Sequence, residues 1–106
     1  MYNITLSEHF KKQLKTLSKK DIHLKIRLKD ALIKFNKEES IIIGKSIYKF
    51  RMKSENKGKS GGYRIYVFIL EIDGILTQLC IYKKNEKKSI TDEELLYHID
   101  IVKAEL

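Results

Sequence analysis

Apolar residues change their spacing along this chain, and each change predicts an element. Residues 2–6 read as a short strand. Ser7 then suits a helix N-cap, because its hydroxyl can accept from a backbone N–H that has no partner of its own. Phe10, Leu14 and Leu17 recur at helical spacing through residues 8–19. Asp21 is placed to cap a second helix reaching to about residue 37. Its apolar set is Ile22, Ile26 and Ile33 with Leu28, Leu32 and Phe35, a wide stripe expected to face a sheet or the first helix. The two helices form an αα-hairpin.

After Glu39 the period shortens to two. Ile41, Ile42 and Ile43 make a brief β-branched run stopped by Gly44. Residues 47–53 alternate: Tyr48, Phe50 and Met52 point one way, and Lys49, Arg51 and Lys53 the other. Residues 54–61 are a polar loop. Residues 63–71 are apolar on both faces, as a central strand would be. Asp73-Gly74 is a two-residue hairpin signal, and residues 75–83 return as the partner strand. Thr91 and Glu94 form a capping box ahead of a last helix carrying Leu95, Leu96, Ile99, Val102 and Leu106. The expected order is β-α-α-β-β-β-α, an α+β domain with two N-terminal helices, an antiparallel meander and a C-terminal helix. At 106 residues the chain, 1–106, is one domain.

Charge adds a partner class. The formal charge is +8 at pH 7, which favours a polyanion: nucleic acid, an anionic membrane or an acidic protein. Cys80 is the only cysteine, so an intramolecular disulfide is excluded and a reducing cytoplasm fits. His9, His23 and His98 are too widely spaced for a metal motif, and no metal or cofactor is expected. The start carries no secretory pattern, and no apolar run is long enough to span a membrane.

Gly58-Lys59-Ser60 and Gly44-Lys45-Ser46 look like the end of a nucleotide-binding loop. The motif needs an earlier glycine, but positions 53 and 39 hold Lys53 and Glu39, and both segments lead into strands. A P-loop is excluded.

A two-residue turn at Asp73-Gly74 would pair Ile72 with Ile75, and counting outward sets Arg64 opposite Lys83. Facing cations destabilise a sheet unless an anion sits between them. Lys49, Arg51, Lys53, Lys57, Lys59, Lys84, Lys87 and Lys88 cluster around that pair in sequence. Tyr63, Tyr66 and Tyr82 are interleaved with the cations and offer surfaces for unpaired bases. In this register Tyr66 shares the face of Arg64 and Tyr82 does not, unless the strand ends or twists before it.

The segments YKFRMKSENKGKSGGYRIYVF and ILTQLCIYKKNEKKSIT, followed by a terminal helix, resemble the RelE/ParE superfamily of bacterial toxins, and within it the HigB-type, RelE-like mRNA interferases. The similarity runs from about residue 45 to 100. It implies a compact α+β fold with a curved antiparallel sheet. It also implies the toxin half of a type II toxin–antitoxin system: a metal-independent endoribonuclease that cuts mRNA in the ribosomal A site and is restrained by a cognate antitoxin. Arg64 matches the arginine that contacts the scissile phosphate. Lys49 and Arg51 match basic residues of the preceding strand, and Lys83 or Lys84 a basic residue of the following one. Lys59 and Glu86 belong to the closer subgroup's motifs.

The catalytic set implied is Arg64, Lys59, Lys83 and Glu86, with Lys49, Arg51, Lys57, Tyr82 and Lys84 holding RNA. Attack of a 2′-OH on the adjacent phosphate needs charge stabilisation, a base and an acid. Arg64 suits the phosphate; Lys49, Lys59, Lys83 or Glu86 suits the base. A gyrase inhibitor of the same fold and a non-catalytic RNA-binding module are the alternatives. An acidic antitoxin is expected from the charge. The ribonuclease reading, so framed, requires Arg64 and Lys83 to face one pocket.

Overall fold

The structure is a computed structural model that describes residues 2–52, 62–71, 73–87 and 89–106. In chain order it has β1 (Asn3–Thr5), α1 (Glu8–Ser18), α2 (Leu24–Ile33), one turn of 3₁₀ helix (Lys37–Glu39), β2 (Ile41–Gly44), β3 (Ile47–Met52), β4 (Tyr63–Leu70), β5 (Ile75–Lys83) and α3 (Asp92–Glu105). The sheet order is β1-β5-β4-β3-β2. β2 through β5 form the expected antiparallel meander, but β1 adds to β5 in parallel, so the sheet is mixed.

Local chemistry explains two of the helix starts. Ser7 Oγ accepts from Phe10 N at 3.0 Å, and Ser7 is itself buried. Thr91 and Glu94 close the capping box reciprocally, at 3.1 and 3.0 Å. Asp21 does not cap α2. Its carboxylate instead takes the Arg27 guanidinium at 2.5 Å and the Tyr63 hydroxyl at 2.9 Å, which ties the αα turn to the start of β4. Burial, then the bond to Asp21, pushes the Tyr63 phenol up to about 12.

Strand alternation sorts the core into two layers. Tyr63, Ile65, Val67 and Ile69 of β4 join Leu76 and Ile81 of β5 against α1 and α2, through Phe10, Leu14, Leu24, Leu28 and Leu32. On the other face Tyr66, Leu79 and Cys80 pack against Leu95 and Val102 of α3. Leu28, Leu32 and the half-buried Phe35 join the core as expected. Ile22, Ile26 and Ile33 do not: they are 79%, 71% and 54% exposed. The side of α2 that fits the sheet is the Leu24–Leu28–Leu32 row at i, i+4, i+8, and the isoleucine row points to water.

The connection between β4 and β5 also departs from expectation. Leu70, not Ile72, pairs with Ile75, so the connection is wider than a two-residue turn at Asp73-Gly74; Ile72 lies outside the described residues. Gly74 takes φ +62°, and its carbonyl accepts from Asn3 N at 2.7 Å, so docking of β1 fixes this wider turn. Further along, Tyr66 pairs with Cys80 while Val67 pairs with Gln78, leaving Leu79 as a bulge.

α1 and α3 meet through polar groups. The Glu105 carboxylate accepts from Glu8 N at 2.7 Å and His9 N at 3.2 Å, placing negative charge on the N-terminus of α1. His9 Nε2 and His98 Nδ1 lie 2.6 Å apart, with Tyr97 edge-on to His9. Burial, then the neighbouring His9 ring, holds His98 below the ordinary imidazole pKa, partly opposed by Glu94. A folded-state pKa below the unfolded value, about 6.5, means that the stabilisation is full above that pH and is lost as pH falls through the folded-state value. Urea midpoints at pH 7.5 and pH 5 should therefore fall more for the native chain than for His98→Gln. Equal falls would show that the imidazole pair contributes nothing to the α1–α3 junction.

Candidate functional site

The outward count from the turn decides which cations meet. The wider turn and the Leu79 bulge together shift the far end of the hairpin by one residue, and a one-residue slip reverses the face. Arg64 therefore pairs with Tyr82, and Lys83 pairs with Tyr63. The expected Arg64–Lys83 pair is not made. Lys83 shares the α1/α2 face with Tyr63, whereas Arg64 shares the α3 face with Tyr66 and Tyr82.

Across the other edge of β4 the cations do converge. Arg51 of β3 lies directly opposite Arg64, and Lys49 opposite Tyr66. Lys49 Nζ sits 5.6 Å from the Tyr66 ring centroid, within cation–π range. Tyr66 and Tyr82 rings are 6.1 Å apart. One face thus gathers Lys49, Arg51 and Arg64 with two tyrosines.

Arg64 is the unusual member. It is only 7% exposed, and its guanidinium donates to the Tyr63 carbonyl at 3.5 Å. Among the described residues it forms no ion pair with a carboxylate. A buried cation without a counter-charge is costly, and a second arginine directly opposite adds to the cost. Tyr82 is left unsatisfied in a parallel way. Its hydroxyl is buried and makes no hydrogen bond of normal geometry among the described residues. Burial, then the adjacent Tyr66, pushes its pKa well above the usual phenol value, while Arg64 pulls the other way. At neutral pH the phenol is protonated and offers an O–H donor. Together these groups can receive an anion: two guanidiniums for paired oxygens, an ammonium, and one phenolic O–H.

The remaining sequence candidates lie elsewhere. Lys84 is exposed just past β5, its N–H donating to the Gly62 carbonyl at 2.9 Å. Glu86 follows in an exposed turn on Lys83, and its carboxylate contributes to the raised pKa of Tyr63, on the α1/α2 side. Lys87, counted among the clustered cations, is paired with Glu94. Lys57 and Lys59, with Lys53 and the loop at 54–61, fall outside the described residues, as does Lys88. The Arg51–Arg64 pairing was missed from sequence. The alternation that put Lys49 and Arg51 on one face was a signal for half of it, but nothing local marks the Leu79 bulge.

No family model matches the chain, and no curated protein matches it. Solved structures do. A mutant of the E. coli toxin RelE with two arginines replaced by alanine, in the free state, aligns over 99% of this chain and 97% of its own, at 15% identity and a TM-score of 0.56. This chain has a RelE-like fold. The likeness extends over the sheet that carries Arg51 and Arg64, not only over the helices. No helix among the described residues is long and apolar enough to cross a membrane.

If Arg64 is present for an anion rather than for the fold, replacing it should not harm the fold. Arg64→Met should leave stability unchanged or raise it by about 1 kcal/mol, because it removes an unpaired buried charge and its repulsion with Arg51. Chemical denaturation measures this. A loss of about 3 kcal/mol, the usual cost of breaking a buried ion pair, would make Arg64 a structural residue.

Proposed function

We propose that this chain is the toxin of a toxin–antitoxin pair and a metal-independent endoribonuclease that cuts mRNA on the ribosome. The observation that carries the reading is Arg64: buried, beside Arg51, with no carboxylate partner among the described residues, in a RelE-like fold. The requirement set from the sequence, that Arg64 and Lys83 face one pocket, is not met; the reading is rebuilt on Arg64 with Arg51 in a RelE-like fold, and Lys83 drops out of it.

The chemistry is transesterification within the message. A ribose 2′-oxygen attacks the adjacent phosphorus, its proton passes to a base, and the bond to the 5′-oxygen breaks, giving a 2′,3′-cyclic phosphate and a 5′-OH. Arg64 and Arg51 stabilise charge on the non-bridging oxygens as the phosphorane forms. Of the groups offered as base, Lys83 and Glu86 lie toward Tyr63, and Lys59 is outside the described residues. Lys49 shares the face of Arg64 and is assigned that role here, acting in its neutral amine form after the ammonium has given its proton to solvent, a form that the like charges of Arg51 and Arg64 favour. The Tyr82 hydroxyl, on the same face, is assigned as donor to the departing 5′-oxygen, with the Arg64 charge, which acts against the rise in its pKa, steadying the phenolate left behind. Lys57 and Lys59 join the cationic rim on the strength of the sequence alone, and Lys84 serves a flanking phosphate. The ribosome supplies positioning of the message. The +8 charge calls for an acidic antitoxin.

Incubating the protein with translating ribosomes and mapping new 5′ ends on the message tests this. Cuts should appear only with ribosomes. Arg64→Ala should lower cutting roughly 100-fold or more, the usual loss on removing a charge-stabilising donor. Tyr82→Phe should lower cutting about tenfold or more with little change in stability. Lys83→Ala should stay within about threefold of native, since it touches none of these groups. An intact message together with inhibited DNA supercoiling would instead support the gyrase reading. A Lys83→Ala loss as large as that of Arg64→Ala would contradict the site assigned here.

A further inference from the structure

α1 carries a glutamine where its apolar stripe calls for an aliphatic side chain. Gln13 stands three residues after Phe10 and four before Leu17, so it shares their face of the helix, and it is half-buried. Its Oε1 accepts from the Ile81 N–H of β5 at 3.1 Å. Its Nε2 is buried and has no hydrogen-bond partner among the described residues. A half-satisfied amide costs stability that an aliphatic residue would not, so packing alone does not account for Gln13. The strand it holds accounts for it better. β1 covers the outer edge of β5 only from Ile75 to Thr77. Past Thr77 that edge has no neighbouring strand among the described residues, and the bulge at Leu79 interrupts the ladder with β4. Gln13 meets β5 two residues past the bulge and one before Tyr82.

The bulge is what brings Tyr82 to the candidate site. If the Val67–Gln78 register ran on unbroken, Arg64 would face Ile81, and Tyr82 would face Tyr63 in the α1/α2 layer. We propose that Gln13 is a positioning residue for RNA cleavage: by holding the Ile81 N–H from α1, it keeps the post-bulge end of β5 where the Tyr82 phenol lies beside Arg64. The buried Ile81 side chain anchors the same residue, but apolar burial has no direction, whereas the N–H···O bond fixes where the strand sits against α1. Gln13 belongs to the α1 side of the sheet and the Tyr82 ring to the α3 side with Tyr66, so Gln13 acts through the backbone of β5 and not on the RNA. The inference rests on the ribonuclease reading in giving the Tyr82 hydroxyl a role in cleavage.

Two measurements test it, one of them without RNA. In the free protein, NMR cross-relaxation should connect the ring protons of Tyr66 and Tyr82, whose rings lie 6.1 Å apart. That signal should weaken in Gln13→Leu, which has no acceptor, and return in Gln13→Glu, which keeps an acceptor oxygen at the same reach. With translating ribosomes, Gln13→Leu should lower cutting about tenfold, as Tyr82→Phe does, and Gln13→Glu should stay within about threefold of native. The double variant Q13L/Y82F should cut within about twofold of Y82F, because Gln13 acts through the hydroxyl that Y82F has already removed. A residue that served folding alone would multiply the two losses, to about a hundredfold. The proposal is overturned by any of three results: a native-like Tyr66–Tyr82 signal in Gln13→Leu; a Gln13→Glu as impaired as Gln13→Leu; or a double variant that shows the multiplied loss. A native chain that cuts no message sinks the ribonuclease reading instead, and the ring signal then decides by itself whether Gln13 holds Tyr82 in place.

Discussion

A guanidinium taken out of water demands a counter-charge, and the two inward-turned arginines of this chain meet that demand differently. Arg27 has Asp21 at 2.5 Å, and Asp21 also holds the Tyr63 hydroxyl, so that charge knits the αα turn to β4. Arg64 is buried with no carboxylate among the described residues and faces Arg51 across the ladder. A fold keeps such an arrangement at the expense of stability, and the expense is intelligible when an anion completes it. The buried Tyr82 hydroxyl, without a hydrogen-bond partner among the described residues, lies on the strand position directly opposite Arg64.

The rest of the architecture serves to hold that face together. β4 and β5 are buried on both sides, so their alternation cannot slip without moving a whole row of core residues into the wrong layer. α1 and α2 clamp the Tyr63 side, and α3 covers Tyr66, Leu79 and Cys80 on the other. Arg64 is the second residue of β4, and Arg51, exposed on β3, lies directly opposite it. Rigid strands on two sides fix the spacing of the two guanidiniums more tightly than a loop would.

Much of this was legible in the sequence because it depends on local chemistry. Ser7, Thr91 and Glu94 cap where their side chains allow, and the alternation of residues 47–52 put Lys49 and Arg51 on one face. The error lay in what local chemistry does not set. Asp73-Gly74 is a strong two-residue turn signal, yet Gly74 is committed to β1 through Asn3, a partner about seventy residues away in the chain, and the turn widens. The Leu79 bulge has no sequence mark, because Leu79 and Cys80 are both apolar and either would satisfy the pattern. These two shifts moved Lys83 off the site and brought Tyr82 onto it. The isoleucines of α2 failed for a related reason: its hydrophobic row is wider than the core can accept, and only packing chooses the leucines. Lys57 and Lys59 stay as the sequence left them.

The most direct measurement is an NMR titration of the arginine side-chain Nε–Hε signals with a short RNA methylated at every 2′-oxygen, which can bind but cannot be cut. The chain has three arginines, Arg27, Arg51 and Arg64, so each signal can be assigned by substitution. Occupation of an anion site completed by Arg64 and Arg51 should shift those two signals together at the same RNA concentration and leave Arg27, held by Asp21, in place. An Arg64 signal that stays fixed while Arg51 and the surface lysines respond would mean that the buried guanidinium is not a phosphate ligand, and the site assigned here would be wrong.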